Sequence, residues 1–248
     1  MLYIKKYSGF IISIVIGLLL YEEANYAYTY RAATAYSDHM IYRLILSMGS
    51  GSSGWNGILF PILAVLPMGI SYVREYRSGY LKLRLQKMSR NRYVAVTLIQ
   101  NAILGGLGLL IPYAVYCLHL YFQYGTKAYL NIKEEETVIM FHPKLAASNT
   151  IAYVCLLGTF VLLAGVTFAT FAIGISAWIK NTFLTLILPF VLCIAMAILI
   201  PDNRFDLLLI FTPNGYAWAS VPIILIMSGI LILTGIILFA VGVKNNEK

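Results

Sequence analysis

The sequence predicts an all-α membrane protein, with six transmembrane helices in a single transmembrane domain and both termini in the cytoplasm. Three observations predict it. The 248 residues are 60% hydrophobic and only 11% charged, whereas a soluble domain carries about 25% charged residues. A surface facing water cannot be built from so few charges. Apolar runs close to the length a bilayer needs, about 20 residues, recur six times along the chain. The charges are also asymmetric across the topology these runs define. Twelve of the 18 Lys and Arg residues fall in inner segments and eight of the ten acids in outer ones, as the retention of positive charge in the cytoplasm requires.

Lys5 and Lys6 precede the first run, residues 7–21. A basic start and a short apolar core also describe a signal peptide, but the run ends in Tyr21-Glu22-Glu23 with no small-residue cleavage site. It reads as a retained span. Residues 18–48 hold neither Gly nor Pro, so nothing stops a helix at the membrane surface. Met40, Ile41, Leu44, Ile45 and Met48 recur at helical spacing, and Tyr21, Tyr26, Tyr28, Tyr30, Tyr36 and Tyr42 suit a headgroup level. The outer segment 22–54 therefore reads as helical and lying along the membrane. A packed outer loop is the plainer alternative.

The run Gly49-Ser-Gly-Ser-Ser-Gly54 ends that segment. Residues 55–72 form the second span, running inward, and residues 94–122 the third, running outward with Gly105, Gly106, Gly108 and Pro112 inside it. A polar outer segment, 123–149, carries Glu134, Glu135 and Glu136. The fourth span is 150–178, then comes a short inner turn at Lys180-Asn181, and the fifth span is 183–200. The outer segment 201–219 mixes Asp202, Arg204 and Asp206 with the apolar run Leu207–Phe211, a mixture that suggests a re-entrant piece before Pro213-Asn214-Gly215. The sixth span is 221–243, ending inside at Lys244. Trp55, Trp178 and Trp218 fall at span borders, as an aromatic belt requires.

No span carries Lys, Arg, Asp or Glu near its middle, which weakens an ion-coupled transporter, because such proteins mark their pathways with intramembrane charge. Thr97, Gln100, Asn101 and Thr167 are candidates to line a translocation path. The same side chains could instead hydrogen-bond helix to helix. Gly105 with Gly108, and Gly165 with Ala169, are small-residue steps that let helices approach closely.

Several chemistries are excluded or weakened. The net charge of +8 follows membrane topology, and no nucleic-acid motif accompanies it, so no nucleic-acid partner is expected. Gly51-Ser52-Ser53-Gly54 matches the nucleophile motif of rhomboid proteases, but the only histidine near a span is His119, and His39 and His142 lie in outer segments. Glu22-Glu23 has Ala27 where the glutamate-type intramembrane proteases need arginine. The three histidines show no metal-ligand spacing, and Cys117, Cys155 and Cys193 all fall inside spans, where thiols serve as small apolar groups. No phosphate-cradling Gly-x-x-x-x-Gly-Lys-Ser/Thr occurs, so the chain binds no nucleotide of its own in that manner.

The most specific stretch is the inner loop, residues 74–92. It carries Arg74, Arg77, Lys82, Arg84, Lys87, Arg90 and Arg92 against the single acid Glu75. Tyr76, Tyr80 and Leu83 recur at helical spacing, as do Leu81, Leu85 and Met88, and Ser89 is placed to cap a helix entering the third span. A loop solvated against anionic lipid is one reading. A short lateral helix offered to a cytoplasmic partner is the other.

Glu75-x-x-x-Gly79 followed by Met88-Ser89-Arg90-x-x-Tyr93, within six spans whose ends are both inside, resembles the membrane subunits of ATP-binding cassette (ABC) type-2 exporters. The resemblance implies that this loop is a coupling helix docking in an ATP-binding subunit, with Glu75, Arg77, Gly79, Leu83, Met88, Ser89 and Arg90 at the contact. It implies no cofactor on this chain, ATP-Mg on the partner ATPase subunit, a second permease chain (identical or paralogous), and the re-entrant character of 201–216. Lys87-Met88 stand where the family commonly has a proline before Ser-Arg, and the helix before the first span is cut to about seven residues. The chain's size and tyrosine-rich outer segment resemble permeases that export peptides, including antimicrobial peptides, from the bacterial cytoplasmic membrane; the substrate would be hydrophobic or amphipathic. A secondary transporter or channel without an ATPase is the alternative.

Overall fold

A computed structural model describes residues 2–31, 40–48, 55–125, 141–200, 202–211 and 220–246. Among the described residues there is no strand. The helices are α1 (Leu2–Arg31), α2 (Met40–Ser47), α3 (Trp55–Val65), α4 (Ser71–Arg77), α5 (Tyr80–Lys87), α6 (Arg90–Tyr124), α7 (Pro143–Ser148), α8 (Thr150–Ile179), α9 (Thr182–Leu199), α10 (Leu207–Ile210) and α11 (Val221–Asn246). Five of them, α1 over Ser8–Tyr26, α6, α8, α9 and α11, are long and apolar enough to cross a membrane. The bundle's outward surface is greasy: Leu19, Ile99, Ile151, Ile198, Leu199 and Leu233 are all exposed, which water would penalise and hydrocarbon does not. This is a membrane protein.

The helix ends follow from local chemistry. Asn149 caps α8, its side chain accepting from the Ala152 amide at 3.0 Å. Asn181 caps α9 by accepting from Phe183 and Leu184. Lys180 closes α8 in the left-handed conformation, φ 51°, directly before the Asn181 cap, so the turn between α8 and α9 stays short. Asp206 caps α10 through the Leu208 amide at 2.8 Å.

The central helix is α8. Half of its most apolar window is buried, against a third or less in the other four long helices. It runs between α6 and α11. The α6–α8 contact joins the two small-residue steps: a Cβ added at Gly165 would meet the Gly105 oxygen at 2.5 Å and the Gly106 Cα at 2.7 Å. The α8–α11 contact repeats the device with Gly174 against Gly235, at 2.5 Å from the Gly235 oxygen. Nothing in the sequence singled Gly235 out.

The second predicted span departs from a single helix. Residues 55–72 are divided between α3, a run of turns over Leu66–Ile70, and the start of α4. Pro67 is the cause, since it lacks an amide hydrogen and its ring displaces the carbonyl four residues back. That carbonyl belongs to Leu63, and Ser13 of α1, fully buried, donates to it at 2.9 Å. α1 closes against the same turn through Gly9, where any side chain would strike the Leu66 carbonyl. Ser13→Ala leaves that carbonyl unpaired and is expected to cost about 1 kcal/mol, read as a lower unfolding midpoint of the purified protein in detergent.

Two further expectations change. The apolar stripe of α2 does not lie along a membrane. Met40, Ile41, Leu44, Ile45 and Met48 are buried in the main core with Tyr21 and Tyr116, because an amphipathic helix satisfies its apolar face equally well on protein. Tyr21, placed by sequence at headgroup level, stacks on Tyr116 with ring centroids 4.9 Å apart. Of segment 201–219, residues 202–211 are described. Leu207, Ile210 and Phe211 are buried, with Phe211 edge-on to Phe60 and Phe168. Trp218, Pro213-Asn214-Gly215, Gly51–Gly54, His39 and Glu134–Glu136 lie outside the described residues.

Candidate functional site

The basic stretch folds as a helical hairpin, α4 and α5 joined at Ser78-Gly79. Gly79 adopts φ +72° with open space around it, so backbone conformation, not room, requires glycine there. The two apolar repeats seen in the sequence take opposite faces. Leu81 is buried, with Leu85 and Met88 packed beside it, in a second apolar cluster formed with Tyr72, Tyr93, Ile173, Ala177, Phe239 and Val243. Tyr76, Tyr80 and Leu83 face outward, Tyr80 and Leu83 at 52% and 55% exposure. Arg74, Arg77, Lys82, Lys87 and Arg92 surround them and are exposed.

α4 ties this hairpin to the ends of the long helices, one residue to each. Tyr72 accepts from Asn246 of α11 at 3.0 Å, and the same amide group donates to the Ala177 carbonyl of α8 at 2.7 Å. Tyr76 accepts from Lys180, in the α8–α9 turn, at 3.1 Å, and the ammonium lies over its ring. Glu75 accepts from Arg84 of α5 at 2.6 Å and from the Tyr93 hydroxyl of α6 at 2.9 Å. The Arg84 guanidinium lies over the Tyr93 ring, 4.9 Å from its centroid. Phe239 of α11 sits edge-on to Tyr72 at 5.3 Å. The only acid of the hairpin is thus engaged inside the protein, and the face left to solvent carries bases and no acid.

The site residues expected from the sequence divide accordingly. Arg77, Gly79, Leu83 and Ser89 are on the exposed face. Ser89 stands at the N-cap position of α6, but its side chain makes no capping bond. Arg90 and Met88 are half-buried at the base. Glu75 points inward, its carboxylate 17% exposed and taken up by Arg84 and Tyr93. Sequence reasoning gave no role to Tyr72 or Asn246 and used Tyr93 only as the end of the motif; the clue was tyrosine at both ends of the basic stretch with an asparagine at the end of the last long helix.

Of the four path candidates, one stands apart by exposure. Gln100 is exposed on the outside of α6, apart from the others. Thr97, Asn101 and Thr167 are buried. Asn101 donates to the Ala169 carbonyl across the α6–α8 contact at 2.6 Å, and Thr167 donates to Leu163 on its own helix. In this chain Asn101 joins helix to helix and Thr167 bonds within α8. His119 and His142 are exposed and far apart in sequence and element, on α6 and before α7.

Comparison of the chain with protein-family models, with curated proteins and with solved structures finds no match in any of the three.

Proposed function

We propose that the chain is the permease subunit of an ABC-type exporter, driven by a separate ATP-binding subunit that docks on the α4–α5 hairpin. The observation that carries this reading is the two-faced hairpin. Its inner face is fastened by Tyr72 and Glu75 to α5, α6 and α11, Tyr76 on the outward side holds the α8–α9 turn through Lys180, and Tyr80 and Leu83 are left bare amid bases. A surface so fastened passes a push on to every long helix it touches. A floppy lipid-facing loop needs no such fastening.

The same reading counts residues 55–72, α3 and the turns that follow it over Leu66–Ile70, as a sixth, broken crossing, with the exposed part of α4 beyond it in the hairpin. Both termini then lie with the hairpin in the cytoplasm, and a second permease chain completes the assembly in a bacterial cytoplasmic membrane. The transported molecule is hydrophobic or amphipathic, a peptide by resemblance. ATP-Mg resides on the partner subunit. Among the described residues the only buried charge is Arg43, hydrogen-bonded to Asn25 near the end of α1. That speaks against the ion-coupled alternative.

Leu83→Asp tests the docking surface. It places a like-sized acid on an exposed position, so membrane insertion and unfolding midpoint stay unchanged. Affinity for the proposed ATP-binding subunit falls on the order of 100-fold, the loss of one interface hot spot, measured by co-purification and by ATP turnover. ATP-independent transport by the pure chain in vesicles would overturn the proposal.

A further inference from the structure

Several polar side chains of the membrane-spanning helices find their partners inside the chain. Asn101 donates across to the Ala169 carbonyl at 2.6 Å, and Ser13 to that of Leu63. Thr159 and Thr234 turn back on their own helices, donating to the carbonyls of Cys155 and Ile230 at 3.0 and 2.8 Å. Gln100 does neither. It is exposed on the outside of α6 and makes no hydrogen bond among the described residues.

The depth of Gln100 keeps it from water and from lipid headgroups. Its neighbour Asn101 is level with Ala169 of α8. The next carbonyl of α8, that of Thr170, lies against Gly235, near the middle of α11 (Val221–Asn246). On α6 the nearest charge is Arg92, eight residues away, a rise of about 12 Å. A carboxamide on two methylenes does not span that distance. Left unbonded in hydrocarbon, such a group is penalised.

A carboxamide holds donor and acceptor side by side, so its partial charges complement those of its own image across a two-fold axis. Copies of one chain share one orientation in the membrane. A two-fold axis along the membrane normal therefore brings a residue of α6 opposite itself. We infer that the α6 surface around Gln100 is an interface between two copies of this chain, the two Gln100 carboxamides pairing at its centre, each donating to the other's oxygen. Ile99 and Ile103, 59% and 53% exposed, flank the pair and keep it dry. An aliphatic face alone would not choose a second copy over lipid. The carboxamide does choose, because acyl tails offer it no partner. The inference rests on the membrane reading and needs no ATPase.

Gln100→Leu tests the pairing. Leucine suits an exposed site in hydrocarbon, and Gln100 bonds nothing within the chain, so the unfolding midpoint stays unchanged. The purified chain is placed in palmitoyl-oleoyl phosphatidylglycerol vesicles at several protein-to-lipid ratios, and energy transfer between labelled copies reads association. The substitution is expected to weaken association on the order of tenfold, the loss of two interhelical hydrogen bonds. Mild oxidation of Gln100→Cys should give a covalent dimer in excess of the parent chain and of Leu233→Cys, an exposed position on α11. Unchanged association in Gln100→Leu overturns the inference, as does a parent chain that stays monomeric at every ratio. Equal cross-linking at positions 100 and 233 overturns it too, and so does capture of a different polypeptide at position 100 in place of a second copy. The Leu83→Asp experiment reads the hairpin separately, so either proposal can fail alone.

Discussion

Glu75→Ala frees the hairpin from the bundle while leaving the bundle folded. The carboxylate accepts from Arg84 at 2.6 Å and from Tyr93 at 2.9 Å, and the two charged side chains are only 17–18% exposed. Their pairing is therefore less screened than a surface bridge. Hydrogen bonds to charged groups are worth about 1.5–3 kcal/mol each. Arg84 keeps its place over the Tyr93 ring, so the net loss is about 2–3 kcal/mol, or about a 30- to 150-fold rise in the opened population. Arg77, Lys82, Arg84 and Lys87 are trypsin sites, and cleavage tracks the opened population when reclosure is fast. In detergent solution, tryptic cutting at the hairpin should rise by that factor. Glu75→Gln, which keeps an acceptor, should give a smaller rise. On the proposed reading, because Glu75 faces inward, an ATP-binding subunit should still bind the variant while its turnover ceases to drive transport. An unchanged cleavage rate in Glu75→Ala would remove the glutamate from any positioning role.

The largest stability effect is expected at the α6–α8 crossing. Gly165→Leu pushes a branched side chain into the Gly105 oxygen and the Gly106 Cα, 2.5 and 2.7 Å from where the first added carbon would sit. These are backbone atoms and cannot rotate away. Overpacking in a tolerant core costs about 1–3 kcal/mol, and here the helices themselves must part, so the loss exceeds about 3 kcal/mol. Asn101 would lose its bond to Ala169 in the same movement. The measurement is the unfolding midpoint in detergent, with Gly229→Leu as control, since Gly229 has nothing within 4 Å and should shift little. Equal midpoints for the two variants would show that this crossing does not hold the bundle.

The long helices were legible because hydropathy reports them directly. The third, fourth, fifth and sixth predicted spans each fall within or overlap one of α6, α8, α9 and α11. Helix α1 continues to Arg31, beyond the predicted span, for the reason the sequence gives: no glycine or proline interrupts it. The second span was misread as continuous although Pro67 and Gly69 stand in it. A proline signals a break, but whether the freed carbonyl finds a donor depends on a helix 50 residues earlier. The stripe of α2 was read correctly as amphipathic and assigned to the wrong medium, because periodicity measures a face and not what covers it. The hairpin's two faces were visible as two interleaved repeats. The inward turn of Glu75 was not, because it depends on Tyr93 and Arg84 meeting in space. Gly105 and Gly165 were each legible as small steps, and only the fold shows that each is the other's partner.

The bond between Ser13 and the Leu63 carbonyl also bears on how the chain is assembled at the ribosome. A segment carrying an orphaned peptide oxygen partitions poorly into lipid by itself. Here the helix that supplies the missing hydroxyl is synthesised first and is already waiting in the bilayer when the proline-broken segment emerges. Reversing the order of those two segments by circular permutation should therefore impair biogenesis even where the finished protein would be equally stable.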